Sequence, residues 1–329
     1  MRPRKAKTEE KGFILIVVLC TIMALMALLL GFNHKCRASL HATDDFQKSQ
    51  QALNCARAGL NVTIAAIRDA NNVDANKTLR NLFSGETPFA VGDGQCSITI
   101  TEETGKLNVN LLKDKTGKLN RARIDQLLRL IDLLNQQRVD YPRIGYGLVP
   151  SIIDWTDRDD EVTFLPFIKH ESSGAESGYY NQLEAPYKCK NAPLDTTEEL
   201  LLVKSVTPQV FEIIHDYITV YGNGEININC TSRYVIESLS EDIDPTLAQM
   251  IIDRRRFKPF NSIEELRDVP VMTDSVYYAI KKTATVSPAE KYYHVTSVGN
   301  VGHLKCTIEA ILKRNMKSKS VEIILYKEL

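Results

Sequence analysis

From Phe13 to Phe32 the chain carries no charged residue, and only beyond that does it turn polar. At about 1.5 Å per residue in a helix the run spans roughly 30 Å, the thickness of a bilayer core, so it predicts one membrane crossing. Apolar positions then recur at Leu53, Ala56, Leu60, Ile64 and Ile67, which lie on one face of a helix. No proline occurs from Phe13 to Ala70. The pattern predicts a continuous helix over 13–70, on the order of 85 Å long, with its first half in lipid and its second half packed on a soluble domain. A membrane anchor followed by a separate short helix would use the same residues.

Two later regions alternate with period two. Residues 95–101 set Cys96, Ile98 and Ile100 against Gln95, Ser97 and Thr99, and Leu107, Val109 and Leu111 continue the habit after a turn at Thr104 and Gly105. Near the C-terminus, residues 293–298, 304–312 and 321–326 read as three strands, separated by Gly299, Asn300 and Gly302 and by the polar stretch 313–320. Between the two regions the spacing is helical. Ile124, Leu127, Leu128, Ile131 and Leu134 share one helix face, and Val210, Ile213, Ile214 and Tyr217 share another. The expected fold class is α+β: an N-terminal transmembrane and stem helix, a small antiparallel sheet and a large inserted α-domain.

The insertion repeats itself. Glu198, Glu199, Leu200, Val203, Thr207, Val210, Ile214, Thr219 and Val220 recur at one constant offset of 66 as Glu264, Glu265, Leu266, Val269, Thr273, Val276, Ile280, Thr285 and Val286, which predicts two copies of one helix-turn-helix unit. A second echo links Gly105, Leu107, Asn108, Val109 and Asn110 to Gly224, Ile226, Asn227, Ile228 and Asn229, with asparagines suited to turn and cap hydrogen bonds.

Arg2, Arg4, Lys5, Lys7 and Lys11 precede the apolar run, so the positive-inside rule leaves the N-terminus in the cytoplasm and sends the long domain across. A cleaved signal peptide needs a small-x-small site after its apolar region, and Leu28 to Asn33 offers a poor one. Gly12–Phe13 stands before the run instead, and this junction resembles the prepilin cleavage site of type IV pilins and type II secretion pseudopilins. The resemblance implies a prepilin peptidase that cuts after Gly12 and methylates Phe13.

With 41 basic and 41 acidic residues, no global field recruits nucleic acid or anionic lipid. Six of the seven cysteines, Cys36, Cys55, Cys96, Cys189, Cys230 and Cys306, lie beyond the span, which leaves fifteen pairings open if all six are oxidised; their wide spacing matches no zinc site. Scattered histidines and the lack of a Gly-x-Ser-x-Gly, phosphate-loop or His-Glu-x-x-His motif argue against an enzyme.

The repeats resemble helix-hairpin-helix modules, which raises a membrane-tethered DNA-binding protein of the competence type as a rival. In such modules glycines let backbone N–H groups approach a phosphate. Here the hairpins read 203–207, 242–245 and 269–273, none has a glycine, and the middle one is acidic. No nucleic acid is expected, and Arg254, Arg255 and Arg256 read as a solvated helix end.

The order of features then becomes specific: the stem, the first strand, residues 105–112, the acidic run Ile153-Asp154-Trp155-Thr156-Asp157-Arg158-Asp159-Asp160-Glu161, the Gly174-Ala175-Glu176-Ser177-Gly178-Tyr179-Tyr180 stretch and the Asn227-Ile228-Asn229 unit. This succession resembles the minor pseudopilin K family (general secretion pathway protein K) of type II secretion systems. The resemblance implies a leader over 1–12, a transmembrane and stem helix over 13–70, a pilin-like β domain from 71–112 plus 286–329, and an inserted α-domain over 113–285. It implies a subunit at the tip of the pseudopilus that initiates or caps filament assembly for export across the outer membrane, anchored once in the bacterial inner membrane with its C-terminal domain in the periplasm. Its implied partners are other minor pseudopilins, the prepilin peptidase and the inner-membrane secretion platform. A minor pilin of a type IV pilus or competence system shares the stem and the processing and is the alternative.

Pilins resembling this chain carry Glu at the fifth mature position, where it pairs with the amine of the subunit above. Counted from Phe13 that position is Val17, and a tip subunit has no neighbour above. The acidic run is the one candidate ion site, since dense hard oxygen donors suit Ca²⁺ better than transition metals, although a solvated acidic loop uses the same residues. The resemblance implies calcium, with Asp157, Asp159 and Glu176 as the first ligands and Asp154 and Asp160 as further candidates.

Overall fold

The computed structural model describes residues 9–69, 88–114, 116–137, 142–168 and 170–329, with the backbone alone for 9–12. The basic leader through Thr8 lies outside them. Glu9–Arg68 forms one unbroken helix of 60 residues, as the proline-free stretch predicts. Its first half, from Phe13 to Phe32, exposes its large apolar side chains and is long and apolar enough to cross a membrane once. The second half changes character as the stripe predicts: Ala52, Ala56, Leu60 and Ile67 are buried, with Leu53 and Ile64 half-buried beside them.

The stem docks on a five-stranded antiparallel sheet. In spatial order the strands are Phe89–Val91, Gly94–Glu102, Glu290–Val301, Leu304–Asn315 and Val321–Glu328. Cys96, Ile98, Ile100, Tyr293, Val295, Ile308, Ala310 and Leu312 present one face to the helix, the alternation that a half-covered sheet requires. The three C-terminal strands run longer than their apolar cores suggest because paired polar residues extend the ladder at both ends, as at Glu290 opposite Asn315. The short Phe89–Val91 strand has no sequence signal of its own and forms a hairpin at Gly92, whose φ is 57°.

Helix and sheet meet at unusually small residues. A Cβ on Gly299 would overlap the carbonyl oxygen of Ala52 and crowd the amide of Ala56. Ser297 Oγ donates to the Ala56 carbonyl at 2.8 Å, which anchors the helix between two turns. Cys306 Sγ reaches Ser49 O at 3.5 Å and Arg314 reaches Arg68 O at 3.5 Å, so the strand holding both runs in the same direction as the stem. The Gly94–Glu102 strand is antiparallel to the Glu290–Val301 strand, and the latter is antiparallel to the Leu304–Asn315 strand. The Gly94–Glu102 strand therefore also runs with the stem, and Glu102 lies at the end away from the apolar half. All seven cysteines are free thiols.

Between Glu102 and Glu290 the chain builds the helical domain, which has its own large apolar core. Leu107, Val109 and Leu111 do not continue the sheet, as their spacing predicts; the correction is that Leu107–Asn108 pairs in parallel with Ile218–Thr219 and Val109–Leu111 is a turn of 3-10 helix. Leu107 in this two-residue strand and Val109 and Leu111 in the turn after it happen to share period two, which a short window cannot separate from one longer strand.

The internal repeat is real in three dimensions. Ile226–Asn227 pairs in parallel with Ala284–Thr285 in the same way. The Asn110 side chain accepts from Leu194 N at 2.8 Å and donates to Leu194 O and Val220 O at 2.9 and 3.1 Å. Asn229 repeats this clasp on Phe260 N, Phe260 O and Val286 O at 2.9, 2.9 and 3.1 Å. Ser205 and Val271, again equivalent, both take a left-handed backbone, with φ of 70° and 67°.

Gly299→Ala should lower the stability of the full chain by about 1–3 kcal/mol through overpacking, whereas Gly178→Ala, at a glycine with open space around it, should change little. Denaturant melts of the two variants check this, and equal stabilities would remove the close approach as the seat of the dock.

Candidate functional site

The helix Leu148–Thr156 is almost wholly buried, and the acidic run begins on its last turn. Asp154 is fully buried, Asp157 follows as the C-cap with its N–H bonded to Ile153 O, and the chain then loops out through Asp159 and Asp160 before Glu176 returns to the same spot. One carboxylate oxygen from each of Asp154, Asp157 and Glu176 lies within 4.8 Å of the others. Gly174 makes the return feasible, because a side chain there would overlap the Asp154 carboxylate and the Pro150 carbonyl. Behind the group, Trp155 packs edge-on against Tyr180 at 5.1 Å and Tyr180 stacks on Tyr187 at 5.2 Å.

Too few donors face these carboxylates. Asp154 Oδ1 accepts from Thr163 N at 2.9 Å and Asp157 Oδ2 pairs with Lys113. Asp154 Oδ2, Asp157 Oδ1 and both Glu176 oxygens are buried without a partner. Buried acceptors left unpaired are strongly unfavourable, and three acids at the C-terminal end of a helix also face the negative end of its dipole. Burial pushes the carboxyl of Asp154 up to about 6 and that of Glu176 up to about 8, with neighbouring Asp charges adding to Glu176. Burial raises Asp157 too, partly offset by Lys113. Hard oxygens, low exposure and excess negative charge form a donor set that fits a bound cation of the calcium type.

Two of the three first-choice ligands, Asp157 and Glu176, come together, and Asp154 joins them. Asp159 and Asp160 do not. Both are exposed; Asp159 Oδ1 accepts from Glu161 N at 3.0 Å, and Asp160 Oδ1 accepts from Ser177 Oγ and Asn191 Nδ2 at 3.1 and 3.2 Å. Spacing alone cannot show that helix geometry turns Asp154 inward with Asp157 while Asp159 sits on the outer rim of the loop. Lys113, which balances part of the charge, is 44 residues from its partner and carries no local signal.

The hairpins offer no phosphate cradle. Thr207, Asp244 and Thr273 cap the helices that follow, accepting from Val210 N, Leu247 N and Val276 N at 3.2, 2.7 and 3.3 Å, so each helix start is occupied by its own side chain. The reading of Arg254 to Arg256 as solvated is corrected for Arg255, whose half-buried guanidinium donates to Ile228 O and Thr231 O. Carbonyls from the second Asn unit draw it inward. At the other end, the stem helix runs through Gly12 and Phe13, and Val17 is exposed on its apolar half.

Comparison with known proteins gives a family, a distant relative and a shared fold. Two family models, both described as type II secretion system protein K, match residues 105–223 and 226–287, together more than half of the chain. The type II secretion system protein K of Aeromonas hydrophila is 21% identical over 333 residues, spanning 95% of this chain and 96% of the relative. The fold is similar to the crystal structure of the GspK-GspI-GspJ complex from the enterotoxigenic Escherichia coli type 2 secretion system, with a TM-score of 0.66 and 18% identity over 88% of this chain and 99% of that one.

Without a cation the acidic group should make stability fall as pH rises from about 4.5 to about 8, since the folded chain holds protons there that the unfolded chain releases. A cation filling the group would reverse the slope by binding the deprotonated form. Thermal melts across this range check it, and Glu176→Gln should flatten the cation-free slope.

Proposed function

We propose that this chain, which belongs to the protein K family of the type II secretion system, is the minor pseudopilin that ends the pseudopilus at its membrane-distal tip, initiating or capping the short filament used for export across the outer membrane. The observation that carries the tip position is the direction of the fold. The stem's apolar half is at one end of the molecule, and the helical domain leaves the sheet at Glu102 and re-enters at Glu290, both at the other end. A bulky domain there blocks a further subunit from stacking above it. Val17 in place of a fifth-position Glu agrees, because the carboxylate has no amine above to meet.

The stem acts as a single-pass anchor, with the sheet and helical domain in the periplasm and the leader in the cytoplasm. Prepilin peptidase cuts between Gly12 and Phe13 and methylates Phe13. Asp154, Asp157 and Glu176 would hold Ca²⁺, which would neutralise the buried carboxylates and tie the loop through Glu176 to the helix that carries Asp154. The E. coli relative was solved in complex with GspI and GspJ, which supports other minor pseudopilins as partners; the inner-membrane platform supplies the assembly site. The role is mechanical, and no part of it calls for catalysis.

The mature protein should begin with methyl-Phe13, which mass spectrometry of the membrane-purified chain reads directly; an intact Met1 in cells with active prepilin peptidase would contradict the processing. Val17→Glu should bring no gain in assembly and should cost on the order of 2–4 kcal/mol unless the carboxyl protonates. Cross-linking along sheared filaments decides the position, and finding the protein distributed along their length would contradict the tip reading.

A further inference from the structure

The two repeats differ by one elaboration. Asn110 and Asn229 are 119 residues apart, while their clasp partners Leu194 and Phe260 are 66 apart, so the first copy carries 53 residues that the second lacks. Asp154, Asp157 and Glu176 all lie inside the first copy's longer segment, and no residue of the second copy is among them. The base of the segment is closed independently of the acids, because the Asn110 clasp binds the chain at Leu194 through three hydrogen bonds.

Within 157–193 little regular structure sustains the chain. Among the described residues it has one four-residue helix, Ser177–Tyr180, and the isolated bridge between Phe164 and Ser173. Three of its ties run to the acidic group, Thr163 N to Asp154 Oδ1, Cys189 Sγ to Asp154 O and Asp157 to Lys113, beside buried Leu165 and Tyr180 and the bonds from Lys204 N to Tyr180 Oη and from Tyr187 Oη to Leu202 O. Between its own clasp residues, Asn229 and Phe260, the second copy has only the helices Arg233–Glu237 and Pro245–Phe257 with their short connections, and no stretch like 157–193.

We propose that cation occupancy at Asp154, Asp157 and Glu176 is a local switch of order: it fixes the elaboration over 157–193 and leaves the second repeat and the sheet unchanged. This rests on the calcium reading above. With the site filled, the unpartnered oxygens converge on one charge and the loop carrying Glu176 is pinned to the helix carrying Asp154. With it empty, three carboxylates whose oxygens lie within 4.8 Å of one another stay buried with four oxygens unpartnered, and the loop loses the tie between Glu176 and the helix carrying Asp154. The Asn110 clasp stops the loosening at its base.

Hydrogen exchange on the full-length chain in detergent, with calcium and after chelation, tests this alongside calorimetry of calcium binding. Chelation should speed exchange in 157–193 by about tenfold or more and leave 224–286 unchanged. Equal acceleration in both repeats would overturn the locality, and no acceleration while calorimetry shows binding would overturn the switch. Absence of calorimetric binding would sink the calcium reading itself together with the switch. The combined Asp154→Asn, Asp157→Asn and Glu176→Gln variant keeps the side-chain shapes and should exchange identically with and without calcium; a calcium response in it would place the ion elsewhere.

Discussion

The backbone of the stem helix rests directly on the backbone of one strand at Gly299, and Gly59 of the helix allows a similarly close approach to Cys96 and Ser297. Contact at that depth brings Ala52, Ala56, Leu60 and Ile67 into the sheet's apolar face, where Ile98, Ile100, Val295 and Ile308 meet them. Separated by one side chain, the same stripe would stand away from the strands and forfeit much of its dispersion contact. Most of a helix's stability in a protein comes from packing its apolar face and not from propensity. The docked half of the stem is fixed by the sheet, and its free half is left for lipid.

From this dock the placement of the helical domain follows. Glu102 and Tyr293 are opposite one another in register, so the chain leaves and re-enters through two neighbouring strand ends. Glu102 also ties the parts together: its carboxylate accepts from Asn227 Nδ2 at 2.9 Å in the second repeat and pairs with Lys291 at 3.1 Å in the sheet. A half-buried carboxylate with two such donors is satisfied and ties the second repeat to the sheet, which the first repeat also touches through Tyr221 stacked on Tyr292 and Glu198 paired with Lys327. The first repeat, with the acidic group, is joined to the second through the shared core and Arg123, which donates to Gly224 O.

What could be read from the sequence was whatever depends on period or on repetition. The stem follows from a charge-free run and a stripe, the four longer strands from alternation, and the duplication from identities at one offset. The role of Asn110 and Asn229 was half legible: the echo marked them, but the clasp joins residues 84 and 31 positions apart. The acidic group was legible as a composition and not as a set. Asp154 and Asp157 lie one helical turn apart on the inner side, and Asp159, only two residues further, is already past the helix end. Lys113 and Gly174 matter through long-range proximity, which no local pattern encodes.

The paired strand ends at Glu102 and Glu290 also define a path for force. A thrust along the stem enters the sheet through the Ala52 and Ala56 contacts and is shared among strands that run along the helix, loading their ladders in shear. The helical domain hangs from the far end by two adjacent strands, outside that path, like a cap on a piston. It is accelerated with the shaft yet never compressed between shaft and base, so a fold that includes a marginal acidic loop can ride a working filament without carrying its load.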